Sequence, residues 1–154
     1  MKIAIVSDTH GNITNAYDSL SEQKVDMLIH LGDYYEDGEN LGSLLGISSY
    51  SVKGNNDYHI DGKEQLILNI EGKRILLTHG HKYNVSYGLE DIIRIGKELE
   101  IDICMFGHTH RYLNCEMGGL LLLNPGSPSL PRGDGISSYM IYDTDENKIE
   151  RIEC

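Results

Sequence analysis

Eight positions in this 154-residue chain carry side chains of types that bind divalent metal, each just after a short apolar run. Val6 leads to Asp8 and His10, Leu31 to Asp33, Val52 to the pair Asn55-Asn56, Leu77 to His79, and Phe106 to His108 and His110. Carboxylate, amide and imidazole donors without thiolate suit Mn, Fe, Ni, Zn or Co, and Mg less well. If the five strand ends lie side by side, the residues form one dinuclear site, the equipment of a metal-dependent hydrolase.

Each piece alone has an ordinary reading. Gly32-Asp33 is a common turn, the Asn pair suits turns, and His79 and His81 fit a surface loop. The joint pattern is harder to dismiss. Five of the seven histidines fall at strand ends, which turn chemistry does not require. His30, inside an apolar run, reads as a packed structural histidine, and His59 as an exposed one. The acidic run Glu36-Asp37-Gly38-Glu39 reads as a solvated loop. Tyr34 and Tyr83 lie near motifs, where rim packing is a stronger expectation than stacking on a ligand. Arg132 reads equally well as a surface residue or as one reaching the site.

The elements that must position these residues follow from the apolar pattern. Strands are expected over 2–7, 25–31 and 48–53, with a helix after Asn12 as its cap, facing inward through Ile13, Ala16, Tyr17 and Leu20. A short helix is expected around Leu41 to Leu45. A hairpin joins Leu66–Ile70 to Arg74–Thr78. A helix carries Leu89, Ile92, Ile93 and Leu99, and a strand runs from Ile101 to Phe106. Strands then fill 112–117, 120–123, 138–143 and 149–152. Alternating strands and helices early, with hairpins late, imply an α/β chain of two packed sheets flanked by helices. No linker or repeat divides residues 1–154, so one domain is expected.

Lys plus Arg number 13 against 24 Asp plus Glu, a net charge of −11. That disfavours stable partnership with nucleic acid or an anionic membrane, but not a small phosphate ester drawn to a locally positive metal site. No apolar stretch approaches a membrane span, and the N-terminus reads as a first strand and not a signal peptide. Cys104, Cys115 and Cys154 form no ligand spacing and fit a reducing cytoplasm, with Cys104 in the core. A homodimer is the common default for such a chain.

The pieces Asp8-Thr9-His10, Gly32-Asp33, Gly54-Asn55-Asn56-Asp57, His79-Gly80-His81 and Gly107-His108-Thr109-His110 come in a specific order. They resemble the five motifs of the calcineurin-like metallophosphoesterases. The short length and Asn124-Pro125-Gly126-Ser127 resemble the small YfcE-type phosphodiesterase branch. That resemblance implies a four-layer α-β-β-α sandwich of two mixed sheets. It implies one divalent ion held by Asp8, His10, Asp33 and His110, and a second by Asp33, Asn55, His79 and His108, with Mn first among the metals. The implied reaction is in-line attack of a metal-bridging hydroxide on a small phosphodiester.

The third motif departs from the family, which often has His after Gly-Asn. Counting from the family places Asn55 as the ligand and Asn56 where the His would stand, able only to hydrogen-bond phosphate. His81 is then the best substitute proton donor and His59 the second choice. Two other functions compete: a broad phosphomonoesterase, and a protein-binding scaffold like one retromer subunit that resembles this fold. Survival of all the metal ligands favours catalysis.

Overall fold

The computed structural model describes residues 1–154. Ten strands and three α-helices follow in the order β1 (Lys2–Val6), α1 (Thr14–Ser21), β2 (Met27–His30), α2 (Tyr35–Leu45), β3 (Ser48–Ser51), β4 (Gln65–Ile70), β5 (Lys73–Thr78), α3 (Glu90–Glu98), β6 (Ile103–Met105), β7 (Tyr112–Met117), β8 (Leu120–Pro125), β9 (Ser138–Asp143) and β10 (Lys148–Glu153). They build two five-stranded mixed sheets, β10-β9-β1-β2-β3 and β4-β5-β6-β8-β7.

Period-two alternation decides which side chains go where. From β1, Ile3 and Ile5 join Ile29, Leu77, Met105, Leu123 and Met140 in the core that contains residues of both sheets. Ala4 and Val6 point the other way, onto Ala16 and Leu20 of α1 and Leu41 of α2. On the second sheet Leu76, Cys104 and Leu122 likewise pack with Ile92 of α3. The layers are therefore helix, sheet, sheet, helix, as expected. Cys104 is fully buried and its thiol is pushed up to about 12 by that burial.

Strands β1, β2 and β3 run parallel, and so do β5, β6 and β8. Parallel neighbours end at the same edge of a sheet, so the loops after them gather there. Three expectations need correction. The acidic run is not a solvated loop but the first turns of α2, and Asp37 within it is buried. That helix begins at Tyr35, well before the short helix expected around Leu41. The cap of α1 is Ile13 and not Asn12, although Asn12 Oδ1 accepts the Thr14 N–H at 3.3 Å. No helix is long and apolar enough to cross a membrane.

Candidate metal centre

The loops after β1, β2, β3, β5 and β6 bring most of the expected residues together. Ligand atoms of Asp8, His10, Asp33 and His110 all lie within 4.8 Å of one another. His79 Nε2 stands 3.4 Å from Asp33 Oδ1 and 3.8 Å from Asp8 Oδ1. The His108 ring lies edge-on to His79, with centroids 5.1 Å apart. The His81 ring is 5.4 Å from His79 and 6.1 Å from His108.

Several imidazoles are oriented from behind. His79 Nδ1 donates to Leu31 O and His110 Nδ1 to Leu130 O, both at 2.7 Å. Each Nε2 is thereby left with its lone pair facing the centre, the orientation a ligating histidine takes. His79 Nε2 and Asp8 Oδ1 are buried and have no hydrogen-bond partner. Such orphaned acceptors are rare and costly in a folded chain unless something else satisfies them. The donor set and these two unpartnered atoms fit divalent cations.

The charges agree. Burial alone would raise the Asp33 carboxyl, but His79 and hydrogen bonds from Asn56 outweigh it and hold it well below the usual range. Burial likewise opposes the lowered Asp8, where His110 and His79 prevail. His79 and His110 are raised by these carboxylates despite their own burial. His81 and His108 are lowered, first by burial and then by the neighbouring His79.

The two asparagines differ in the contacts they make. Asn56 donates its amide N–H to Asp33 Oδ2 at 2.7 Å and its backbone N–H to Asp33 Oδ1 at 3.0 Å. Asn55 sits exposed on the same turn. Asn56, exposed on the same turn, thus steadies both oxygens of the Asp33 carboxylate. Asp57 is no stand-in for a missing acid: its buried carboxylate accepts N–H bonds from Tyr34, Tyr35 and Gly54, at 3.0, 2.9 and 2.8 Å.

A second ring of residues braces the centre through contacts that the sequence did not show. Asp37 Oδ2 accepts from Thr9 Oγ1 at 2.6 Å and from Gly11 N at 2.9 Å, tying α2 to the first motif. His30 Nε2 lies 3.1 Å from Thr9 Oγ1, and His30 Nδ1 accepts the Gly32 N–H at 3.3 Å. Because the Thr9 proton points at Asp37, His30 donates through Nε2, a neutral structural histidine as expected. Burial pushes it down to about 4. Ser127 Oγ donates to Asp8 O and Ser129 Oγ to Thr9 O, at 2.8 and 2.7 Å. Asn124 Nδ2 donates to Gly107 O at 2.8 Å, so the Asn124–Ser127 turn braces two ligand loops. Arg132 meets the site through its backbone, its N–H bonding His110 O at 2.9 Å.

These loops pack too closely for ordinary backbones. A Cβ on Gly54 would lie 2.1 Å from Asp33 Oδ1, and one on Gly107 1.9 Å from Ser7 Oγ. Asp8, His10, Asp33, Tyr34, His108 and His110 all take left-handed φ, between 50° and 74°. Non-glycine residues there cost roughly 1–3 kcal/mol each, and such strain collects at functional sites.

A sequence profile described as the calcineurin-like phosphoesterase superfamily domain matches residues 1–147. The chain belongs to that superfamily. By that membership it is a metal-dependent phosphoester hydrolase. It is 32% identical to the probable metallophosphoesterase YsnB of Bacillus subtilis, over 99% of this chain and 97% of that one. It is 26% identical to the phosphodiesterase YfcE of Escherichia coli, over 94% of this chain and 89% of that one, in keeping with the branch its motifs resemble. Zn-complexed Vps29 of Entamoeba histolytica superposes with a TM-score of 0.82 over 99% of both chains. At 22% identity that match carries the fold alone.

Proposed function

We propose that the chain is a dinuclear-metal phosphodiesterase acting on small phosphodiesters. The convergence of Asp8, His10, Asp33 and His110 with the unpartnered Asp8 Oδ1 and His79 Nε2 carries this reading. Asp8, His10, Asp33 and His110 would hold one ion, and Asp33, Asn55, His79 and His108 the second, Asp33 bridging. Divalent ions held there would supply an activated water at neutral pH and electrostatic stabilisation of the phosphoryl oxygens.

The chain's own groups do the rest. His79 and His110 are fixed by carbonyls and Asp33 by Asn56, so little reorganisation accompanies substrate binding. Asn56 would also donate to a phosphate oxygen. His81, beside His79 and His108, would protonate the departing alkoxide. His81→Ala should then slow diesters with poor leaving groups about tenfold more than those with good ones. Equal slowing would remove His81 from that role.

Motif register makes Asn55 the ligand, so Asn55→Ala should lower bound Mn²⁺ from about two ions per chain to about one by elemental analysis. Asn56→Ala should keep both ions and raise KM. The reverse pattern would exchange the two roles. We infer Mn²⁺ as the working metal, and a cytoplasmic setting from the three unpaired cysteines. Residues 1–154 act as one domain.

The deciding experiment pairs bis(4-nitrophenyl) phosphate with 4-nitrophenyl phosphate on the Mn²⁺-loaded protein. The expected result is a higher kcat/KM for the diester. A monoester preference would replace the diesterase with a phosphomonoesterase, and cleavage of neither by metal-loaded protein would favour the scaffold.

A further inference from the structure

Beside the metal centre lies a cleft of about 640 Å³ to which the proposed hydrolysis assigns no role. His10 and Asn56 form its boundary with the centre, and Tyr34, Tyr35, Tyr58 and His59 supply its rings. Tyr58 is 86% exposed and Tyr34 46% exposed, unusual for large rings with a concave neighbour. The Tyr34 ring is not free to wander. Its backbone is held at φ 74° by the Asp57 carboxylate, and the ring lies over Gly11, 5.6 Å from the His10 ring.

The charges in the cleft are as informative as the rings. No Lys or Arg lines it. Asp37 and Asp57 spend their carboxylates on backbone and Thr9 donors, leaving Glu36 as the acidic group on the rim. The nearby cations Arg111 and Arg132 line a different depression, with Thr109 and Tyr112. A second phosphate would therefore meet no Lys or Arg here and would face Glu36. A flat, uncharged ring meets aromatic faces, with the Asn40 amide at the edge.

We propose that this cleft binds the uncharged aromatic ester group of a phosphodiester, with Tyr34 as the stacking wall that sets the preference. The assignment rests on the diesterase reading above and narrows it. A diester has a second ester group that needs housing, whereas a monoester has none. Substrates bearing further phosphates on that side are disfavoured. Nucleoside and simple aryl groups share the chemistry that the cleft recognises.

The test uses Mn²⁺-loaded protein and three esters with one leaving group, 4-nitrophenoxide. The retained group is 4-nitrophenyl, 5′-thymidyl or methyl. In Tyr34→Ala, kcat/KM on the two ring-bearing esters should fall about tenfold more than on the methyl ester, mainly through KM. Tyr34→Phe should restore the difference, and Tyr58→Ala, at an exposed site, should show a smaller version. A fall confined to one ring-bearing ester supports the cleft and names its ring. Equal falls on all three esters in both alanine variants would overturn it.

Binding separates this assignment from the reading it rests on. Thymidine added to the Zn²⁺-loaded protein should shift the amide signals of Tyr34, Asn40 and Tyr58, more weakly in Tyr34→Ala. Absent or scattered shifts overturn the cleft whatever the turnover. Shifts confined to the cleft without cleavage of any ester would keep the cleft and remove the hydrolase.

Discussion

His30 illustrates how a single buried group writes a pH dependence into the fold. Its imidazole is fully buried and, chiefly through desolvation, protonates only at about 4, against an ordinary 6.5. Between those values the unfolded chain binds a proton that the native chain refuses. Stability is therefore fully present above about pH 6.5 and drains away as the pH falls toward 4. From pH 7.5 to pH 5 this one group should cost roughly 2 kcal/mol. Denaturant midpoints of the wild type and His30→Gln, which keeps a donor toward Thr9, measure it. The variant should lose less than the wild type over that interval, and an equal loss would show that His30 contributes nothing. The ligand residues read differently, because their burial was not visible in their spacing. Asp8 Oδ2 accepts from both Ser7 Oγ and the His108 N–H, so Asp8 supports the fold as well as the centre. His108 carries no such load through its side chain and is the cleaner position for removing activity alone.

At the scale of elements, α2 is the piece on which the first two motifs depend. It lies hard against β2 and β3 because Gly38 and Gly42, one turn apart, leave no Cβ in the way. A Cβ on Gly38 would fall 2.3 Å from Ser51 Oγ and 2.5 Å from His30 Cβ. Gly38→Ala should lift the helix, cost about 1–3 kcal/mol, and pull Asp37 off Thr9 and Gly11. Metal affinity should fall with stability. Gly46, at the other end of the helix, has open space around it and φ 69°. Gly46→Ala should cost only about 1–2 kcal/mol of backbone strain and leave metal affinity alone. Thermal melts and Mn²⁺ titrations of the two variants decide the matter, and equal effects on affinity would deny α2 this role. The helix is also where the sequence was least readable. Tyr-Glu-Asp-Gly-Glu-Asn has the composition of a loop, and its first residue follows a left-handed Tyr34. What makes it helix is tertiary: the Asp57 carboxylate, more than twenty positions away, accepts the N–H groups of Tyr34 and Tyr35. By contrast β1, β2, β5 and β6 were legible because continuous apolar runs and glycine-flanked ends are local properties.

For the whole molecule, the centre joins two sheets that otherwise meet through their core. Asp8, His10 and Asp33 hang from the first sheet, and His79, His108 and His110 from the second. Ions bound between them would fasten one sheet to the other at the mouth. At a free concentration about a hundredfold above Kd, Mn²⁺ should stabilise the chain by about 2.7 kcal/mol, roughly 5–10 °C in Tm, and EDTA should reverse it. Bound metal without any shift in Tm would argue against a site shared between the sheets. The layering could be read from the residues, and so could the kinds of side chain that gather at the strand ends, but the strand order could not, because pairing over long separations leaves no local trace. Strand β1 is the clearest case, with Ile29 beside Ile5 on one flank and Met140 on the other. On the ribosome the first flank is filled early, while the other stays an open edge until nearly all of the chain has been made. A nascent chain of this kind is exposed to mispairing for most of its synthesis, so translation pauses or truncations before Ser138 should yield aggregates and not a smaller working fold.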